Sequence, residues 1–572
     1  MRKTSSGGGW PAVWYTLQTA RRSGLIAFWR GLRSKNTCRT CALGMGGQRG
    51  GMVNEAGQFP EVCKKSMQAL AADMQPPISE EVFSATCLED LANYSSRQLE
   101  ALGRLTTPLY AGPQSSHFEP ISWEEALEQV GAKLRETAPD RSFFYVSGRS
   151  SNEAAFLLQL FARIYGTNNV NNCSYYCHQA SGVGLNHAIG TGTATVSLDD
   201  IDGCDLFFLI GGNPASNHPR LMRNLVNLRR RGGKVIVINP SKEAGLVRFS
   251  VPSDPRSLLF GSDVASQYLQ PHIGGDVALL TGIAKAVVEH GAHDREFLSG
   301  HTDGSEEFLE SLAALSWSEI EASSGVSEPE LREAATALAA AERAIFGWTM
   351  GITHHLHGVD NVRAIANLAL VRGMVGKTGA GLLPIRGHSN VQGVGSVGVT
   401  PALKQAVLEA LEAKLGVPVP LSEGLHTMGA MLAADRNEID FAFCLGGDLF
   451  AATADAAFAA RALGNVETVV YLSTALNLGH VHGRGRQTYV LPVLPRDEEP
   501  QPTTQESMFN YVRLSDGGRI RYPGPLSEVQ VISEIAVRVL DDSPVDFQAM
   551  RRHASIRNAI ADVIPGYEEI GA

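Results

Sequence analysis

Residues 205–214 read DLFFLIGGNP, and residues 234–240 read KVIVINP. Each stretch is an apolar run that stops at a turn, Gly-Gly-Asn-Pro in the first and Asn-Pro in the second. The residues between them, LMRNLVNLRRRGG (221–233), have the pattern of a helix. A strand, a helix and a second strand predict a βαβ unit, in which the two strands are parallel and the crossover is right-handed.

The same strand-to-glycine ending recurs along the chain. FFYVSG (143–148) is followed by the helical NEAAFLLQLFARIYG (152–166), while AIFGWTMG (344–351) and FAFCLGGDLF (441–450) also run from an apolar strand into glycine. VETVVYLST (466–474) adds another strand. Repeated strand–turn–helix units predict doubly wound sheets, whose ligands bind at the carboxyl ends of the strands.

Length and composition limit the possible classes of protein. A chain of 572 residues with 44% hydrophobic and 19% charged residues is typical of a globular protein with several cores. The net charge of −10 argues against a nucleic-acid-binding protein. The glycine turns that directly follow the predicted strands complete neither GxGxxG, with an acidic residue ~20 positions later, nor GxxxxGK[ST], so a simple NAD or ATP enzyme is not indicated.

The sequence predicts a cytoplasmic protein without a membrane span, because no apolar stretch approaches the ~20 residues that a span needs. The N-terminal ARRSGLIAFWRGLRSK (20–35) contains a twin arginine, but Arg30 interrupts its apolar run too early for an export signal. A basic amphipathic helix is the favoured interpretation. The final segment, 526–572, is predicted to be helical and polar.

Eight cysteines in a chain this long are too sparse for a disulfide framework. NTCRTCALGMGG places Cys38 and Cys41 in a CxxC spacing, and EVCKKS adds Cys63. Tetrahedral zinc requires a fourth soft ligand, and Cys87 lies in a more helical stretch. Three thiolates with glycine-rich neighbours favour an iron–sulfur cluster, and a reduced, unligated CxxC is the alternative.

A second pair of cysteines lies in NNCSYYCHQASG (171–182), where His178 directly follows Cys177. The residues themselves leave four interpretations open: zinc ligands, a redox pair, small buried residues, or a ligand for a heavier metal.

Several segments together resemble the molybdopterin-dependent oxidoreductases of the DMSO reductase superfamily, in the formate dehydrogenase alpha-subunit-like branch. The resemblance spans roughly residues 38–520 in the expected order. The segments that carry it are CRTC…EVCKKS, NNCSYYCHQASG, LIGGNPASNHPR, WTMGITHHLHGVDNVRAIANLAL, GKTGAGLLPIRGHSNVQGVGSVG and STALNLGHVHGRGRQTYVLPVLPR.

This resemblance implies molybdenum (or tungsten) held by two molybdopterin guanine dinucleotides, with Cys177 as the protein ligand. It implies that His178 lies beside the reacting bond, that Arg386 holds the carboxylate of formate, and that Lys65 lies between an iron–sulfur cluster and a pterin. A guanidinium suits a planar carboxylate because it forms a bidentate, charge-assisted pair. The structural alternatives are a core cysteine, a core histidine, a salt-bridged arginine and a surface lysine.

The resemblance also assigns residues to the two dinucleotides. Each of these turns, taken alone, fits a fold-stabilising turn equally well. The residues for the first dinucleotide are Gly211, Gly212, Asn213, His218, Asn239 and Asp276, and those for the second are Gly446, Gly447 and Asp448.

The resemblance predicts a multi-domain α/β fold with mainly parallel sheets. The domains are a flexible or helical lead-in (1–37), a cluster domain (38–115), a discontinuous α/β dinucleotide-binding domain (116–172 plus 388–500), a Rossmann-like domain (173–387) and a C-terminal segment (501–572).

Two features depart from the family pattern. Met45 occupies the position of the usual third cysteine, so either a [4Fe-4S] cluster with a non-cysteine site or a [3Fe-4S] cluster is expected. The chain stops about where a final β-barrel-like domain is expected, so that domain is predicted to be missing or to be supplied by a separate subunit.

The predicted function is oxidation of formate to carbon dioxide, with electrons leaving through a pterin and the cluster to an electron-transfer partner. The alternatives are a nitrate-type oxyanion reductase on the same architecture, or a truncated, inactive paralogue that acts in assembly.

Overall fold

The computed structural model of the protein describes residues 6–571. The predicted βαβ unit is present: Leu206–Ile210 and Lys234–Ile238 are parallel strands, joined by the helix Leu221–Arg230. They belong to a five-stranded, all-parallel sheet. In spatial order its strands are Gln267–Leu269, Lys234–Ile238, Leu206–Ile210, Ala344–Trp348 and Gly381–Pro384.

A second, seven-stranded sheet combines two separate stretches of the chain. Five of its strands are parallel, and the two at one edge are antiparallel. In spatial order the strands are Glu119–Pro120, Leu109–Ala111, Gln487–Pro492, Thr468–Ser473, Phe441–Leu445, Ser142–Val146 and Val170–Asn172. The predicted α/β class with mainly parallel sheets is therefore confirmed.

Both sheets are buried by helices, which is why their strands read as continuous apolar runs rather than as alternating patterns. Phe441–Leu445 and Leu206–Ile210, for example, are buried at every position. The longer helices that flank the two sheets or connect their strands are Trp123–Glu136, Asn152–Tyr165, Gln179–Ile189, Leu221–Arg230, Asp276–Glu289, Ser305–Ala314, Trp317–Ser324, Glu328–Ala340, Gly358–Val371, Gln405–Leu415, Thr427–Asp435, Ala456–Gly464, Glu528–Val539 and His553–Val563.

The N-terminal region forms helices Trp10–Ser23 and Leu25–Arg33, which pack against a third helix, Lys64–Asp73. A glycine-rich loop connects the second of these helices to the third. Two smaller sheets complete the fold, with strands Gly7–Gly8, Arg248–Ser250 and Ser262–Asp263 in one and Thr503–Glu506 and Val512–Ser515 in the other. Within residues 6–571, every helix lacks the length or the hydrophobicity needed to cross a membrane.

The C-terminal segment is helical as predicted, but the prediction that it is polar is wrong. Helix Glu528–Val539 buries Val529, Ile532 and Ile535 in the same core as the helices of the seven-stranded sheet. Charged residues raise the average polarity of the segment and mask this apolar stripe, whose members lie three or four positions apart.

Replacement of Ile532 by alanine tests this packing. Because Ile532 is buried, Ile532→Ala should lower the free energy of unfolding by about 2–5 kcal/mol, through lost burial and the cavity that remains. Val537→Ala on the exposed side of the same helix is the matched control and should change it by less than ~0.5 kcal/mol. Urea unfolding followed by circular dichroism measures both. Equal changes in the free energy of unfolding for the two variants would contradict the burial of Ile532 in this core.

Candidate functional site

Each large sheet has a point where the strand order reverses, and at both points a strand is followed by a glycine turn. In the five-stranded sheet this point lies between Leu206–Ile210 and Ala344–Trp348. Gly211 follows the first of these strands with a φ of 60°, and a Cβ on it would lie 2.9 Å from the backbone of Gly351. Glycine is needed here because two loops meet where an open α/β sheet binds its ligand.

The seven-stranded sheet repeats this arrangement between Ser142–Val146 and Phe441–Leu445. Gly446 and Gly447 have φ values of 66° and 73° and pack on Ser147. Both glycines border a cavity of about 720 Å³, referred to here as the main cavity.

Asp448 also lines the main cavity and caps the helix Leu449–Ala452 by accepting a hydrogen bond from the backbone N–H of Ala451. Burial raises its pKa.

Cys177 also lines the main cavity. It follows Val170–Asn172, an edge strand of the seven-stranded sheet, through a short turn at Cys173–Tyr176. Burial raises the pKa of its thiol to about 11, although the charge of Arg386 and the backbone N–H of Gly387 lower it. The thiol is therefore protonated at neutral pH, and binding of a metal would release this proton.

Arg386 comes from the other sheet, just after the edge strand Gly381–Pro384, and is 8% exposed. Its Nη2 donates to the carbonyl of Gly192 at 3.0 Å, while Nε is buried without a partner. Within residues 6–571, no carboxylate lies within ion-pair distance of this guanidinium. Burial lowers its pKa, and the nearby Cys177 and Glu506 oppose this effect. A buried cation that lacks a counter-ion is suited to bind an anion.

His178 is buried directly after Cys177 and is not among the residues that line the main cavity. Its Nε2–H donates to the carbonyl of Ile385 at 3.1 Å, and its Nδ1 accepts from the hydroxyl of Ser181 at 2.9 Å. Burial lowers its pKa to about 3, so the ring is neutral. Both ring nitrogens of His178 therefore take part in hydrogen bonds within the protein.

Cys173 also lines the main cavity. Its Sγ accepts from the backbone N–H of Gly148 at 3.2 Å and lies 3.2 Å from Nδ1 of His388. Burial raises the pKa of this thiol to about 12. This neutral contact joins the loop before Cys177 to the loop after Arg386.

Cys38, Cys41 and Cys63 are close enough for their charges to interact. Burial, together with the negative charges that Cys38 and Cys63 would carry, raises the pKa of Cys41 to about 12. Arg220 opposes this effect. It is buried beside the thiols, where its Nε donates to Glu61 at 2.7 Å. Arg220 was not predicted from the sequence, because it lies about 160 to 180 residues from the cysteines and becomes their neighbour only in the fold.

The cysteines of residues 6–571 do not form a site for a single metal ion, because no three His, Cys, Asp or Glu side chains are grouped as its ligands. An iron–sulfur cluster is larger, and its thiolates bind different irons. Met45 is buried beside Cys38 at a small cavity, and its carbonyl accepts the backbone N–H of Cys38 at 2.9 Å. Cys87 lies apart from the three and caps the helix Leu88–Ala92.

Lys65 is exposed and lines a second cavity, of about 540 Å³, together with Cys63 and Asn213. The cavity thus connects the cysteine region with the Gly-Gly-Asn turn of the five-stranded sheet. The neighbouring Lys64 instead lies over the ring of Tyr15, at 4.5 Å from its centroid.

The remaining predicted residues of the five-stranded sheet make different contacts. Asn239 donates to the carbonyl of Gly212 at 3.4 Å, so it lies at the glycine turn. His218 donates through Nε2 to the carbonyl of Arg386 at 2.8 Å, which leaves its buried Nδ1 as an unpaired acceptor. Asp276 begins the helix Asp276–Glu289, and its Oδ2 lies 4.0 Å from Nε2 of His355.

The main cavity contains an acidic group that was not predicted from the sequence. Glu499, Glu528 and His553 line it, and the last two belong to the C-terminal segment. Nδ1 of His553 donates to the carbonyl of Pro502 at 3.1 Å, and its unprotonated Nε2 faces Glu499 at 3.6 Å. Burial raises the pKa of Glu499 to about 8 and that of Glu528 to about 7. Protonation of Glu499 therefore removes the repulsion between its carboxylate and the lone pair on Nε2 of His553.

The fold and the site define a class of protein. It is a multi-domain α/β protein in which each large sheet has a ligand crevice where its strand order reverses. A thiol and a buried cation lie near these two crevices. The chain belongs to the molybdopterin oxidoreductase family, whose profile matches residues 104–477.

Protein YdeP of Escherichia coli (strain K12) is 37% identical over 532 residues, which are 89% of this chain and 70% of YdeP. Formate dehydrogenase H of the same organism is 30% identical over 382 residues, covering 64% of this chain and 51% of that enzyme. Acetylene hydratase from Pelobacter acetylenicus shares the fold, with a TM-score of 0.63 and 18% identity over 89% of this chain and 68% of that one.

Membership of this family implies a metal bound by molybdopterin, and the residues around Cys177 fit such a group. The partly exposed thiol is a soft ligand that suits a heavy transition metal. Arg386 and His218 each keep a buried polar nitrogen without a partner, and Asn213 keeps a buried oxygen. Gly446 and Gly447 form part of the cavity wall.

The raised carboxyl pKa values predict how stability depends on pH. Unfolded glutamates release their protons near pH ~4.3. Because folded Glu499 and Glu528 keep theirs to about pH 8 and 7, the folded state binds more protons between these limits, and its stability falls as the pH rises. Glu528→Gln should reduce this slope by up to about 1.4 kcal/mol per pH unit.

Urea unfolding at a series of pH values from ~5 to ~7 measures this slope. Glu412→Gln, at an exposed carboxylate, is the control and should leave it unchanged. An unaltered slope in Glu528→Gln would show that Glu528 is already ionised in the folded protein.

Proposed function

We propose that this oxidoreductase oxidises formate to carbon dioxide, HCOO⁻ → CO₂ + H⁺ + 2e⁻. The observation that carries the proposal is the buried guanidinium of Arg386, which lies beside Cys177 and has no carboxylate partner within residues 6–571. A buried arginine without a counter-ion is costly, and a small planar carboxylate would neutralise it through paired hydrogen bonds. The similarity to formate dehydrogenase H supports formate as that anion.

Cys177 and Gly446–Asp448 would hold a molybdenum or tungsten ion with two molybdopterin guanine dinucleotides, together with the Gly211–Asn213 turn. Once bound, this group supplies the two-electron acceptor for the reaction. Arg386 binds and orients the substrate carboxylate. His178 fixes the backbone of the Cys177 turn against Ile385, so that the thiol and the guanidinium keep a constant separation.

The cysteine region lies directly against this site. The backbone N–H of Ala42 donates to the carbonyl of Gly387 at 3.0 Å, so the CxxC loop contacts the loop that faces Cys177. We propose that Cys38, Cys41 and Cys63 hold an iron–sulfur cluster, [4Fe-4S] or [3Fe-4S], which receives the electrons and passes them to a cytoplasmic partner protein. The positive charge of Arg220 would stabilise the thiolates of such a cluster.

Lys65 lines the cavity between Cys63 and Asn213, where a cation would stabilise the added negative charge during electron transfer.

A second candidate function is the reduction of a planar oxyanion such as nitrate. The guanidinium of Arg386 suits either anion, and His178 does not distinguish them because both of its nitrogens are occupied. The third candidate is an inactive paralogue that acts in assembly and does not bind the metal.

Substitution of Arg386 tests substrate binding. In the metal-loaded protein, Arg386→Gln should lower kcat/KM for formate by roughly 10²-fold, because a charged hydrogen bond contributes about 1.5–3 kcal/mol. Arg386→Lys should recover part of the loss, and the exposed Arg436→Gln should match the wild type. Metal content measured in parallel must stay constant. Reoxidation of the reduced protein by nitrate, without reduction by formate, would instead support the oxyanion reductase.

Metal analysis tests the cofactor assignment. Protein purified without oxygen should contain molybdenum or tungsten at about one per chain, and Cys177→Ser should lower it. Cys38→Ser should lower the iron content without removing molybdenum, while Cys87→Ser is the matched control because Cys87 caps a separate helix. Iron without molybdenum or tungsten in the unaltered protein would favour the assembly role.

A further inference from the structure

The two N-terminal helices, Trp10–Ser23 and Leu25–Arg33, carry several large apolar side chains that are exposed to solvent. On the first helix, Trp10, Trp14 and Leu17 are four and three positions apart and therefore share one face. Six side chains form what we call the apolar surface of this helix pair, and each is between 54% and 69% exposed: Trp10, Trp14, Leu17, Leu25, Ile26 and Trp29. Exposed apolar surface of this extent indicates a contact with something outside the folded chain.

The opposite side of the helix pair attaches it to the protein. Phe28 is 2% exposed and packs with Ala20 against Met67 and Leu70 of the helix Lys64–Asp73. The pair is thus a folded part of the molecule, and its apolar surface is available without any unfolding.

The charge of this region is opposite to that of the whole protein. Arg21 and Arg22 end the first helix, and Arg30 and Arg33 lie in the last turn of the second. The first acidic residue of the sequence is Glu55, although the chain as a whole carries a net charge of −10. Positive charge is therefore concentrated beside the apolar surface.

We propose that the N-terminal helix pair binds the surface of a membrane that contains anionic lipids. Short helices with tryptophan and leucine on one side and arginine beside them lie in the plane of a bilayer interface. The indole ring prefers the level of the headgroups, and arginine extends towards the phosphates. At 14 and 9 residues the helices are too short to span the ~20-residue thickness of a bilayer.

An anionic membrane explains the surface better than an acidic partner protein does. Protein interfaces gain specificity from polar pairs of both signs. Every charged side chain of the helix pair is positive, which suits a uniformly negative lipid surface. This inference does not depend on the proposed function, because it concerns a different surface of the molecule.

Vesicle flotation tests the proposal. The full chain should float with phosphatidylcholine vesicles that contain about 30% phosphatidylglycerol and much less with pure phosphatidylcholine, because each basic residue contributes roughly fivefold to binding of anionic lipid. Raising the salt to ~0.5 M should weaken the binding, because it screens the charges. Trp10, Trp14 and Trp29 are three of the six tryptophans of the chain, so insertion should also shift the fluorescence to shorter wavelengths.

Two variants separate the contributions. The triple substitution of Trp10, Trp14 and Trp29 by serine should lower the vesicle partition coefficient at least tenfold. The triple substitution of Arg21, Arg22 and Arg30 by glutamine should lower it roughly 100-fold. The matched control replaces three exposed apolar residues from elsewhere, Ile273, Leu356 and Leu421, with serine and should bind like the wild type. Circular dichroism confirms that each variant is folded.

Three outcomes would overturn the proposal. The intact chain could fail to bind either type of vesicle, or the tryptophan variant and the control could bind equally. Alternatively, sedimentation without lipid could show self-association that the tryptophan substitutions abolish, and the helix pair would then be an interface between copies of the chain.

Discussion

Hydrogen bonds between the carboxyl edges of two parallel sheets are the interactions on which the site depends. His178, after the edge strand of one sheet, donates to the carbonyl of Ile385, after the edge strand of the other. Cys173 and His388 form a second contact between the same two loops. Cys177 and Arg386 each lie one residue from these contacts. Their separation is therefore set by the packing of the two sheets and by hydrogen bonds between the loops that follow them, which is what a preorganised site requires.

Several ionisable side chains are buried in the structure. Arg386 lacks a carboxylate partner within residues 6–571, whereas Arg220 is paired with Glu61 beside the cysteines. Glu499 and Glu528 face the main cavity with raised pKa values because burial disfavours their charged forms. Each of these groups costs free energy of folding unless a proton, a partner or a ligand compensates for it. Such groups cluster at functional sites, and here Glu499 and Glu528 line the cavity that contains Cys177.

Much of the architecture was predictable because parallel strands covered by helices are apolar on both faces. DLFFLIGGNP and KVIVINP became neighbouring parallel strands, and the glycines after Ile210 and Leu445 lie where the strand order reverses. The resemblance based on short motifs also identified the family correctly. Prediction failed for the C-terminal segment, where an apolar stripe on Glu528–Val539 was masked by the polar residues between its members.

The sequence by itself determined the α/β class, the glycine turns and the family, since these follow from local apolar runs and from contiguous motifs. Only the tertiary structure decided which side chains meet. Arg386 lies about 210 residues from Cys177, Arg220 about 160 to 180 from the cysteines it accompanies, and Glu499 about 50 from His553. The orientation of His178 belongs to the same group, because its role is set by Ser181 and Ile385. The physical reason is that contacts between distant residues are made by the packing of whole sheets and helices, and no local pattern records which elements will become neighbours.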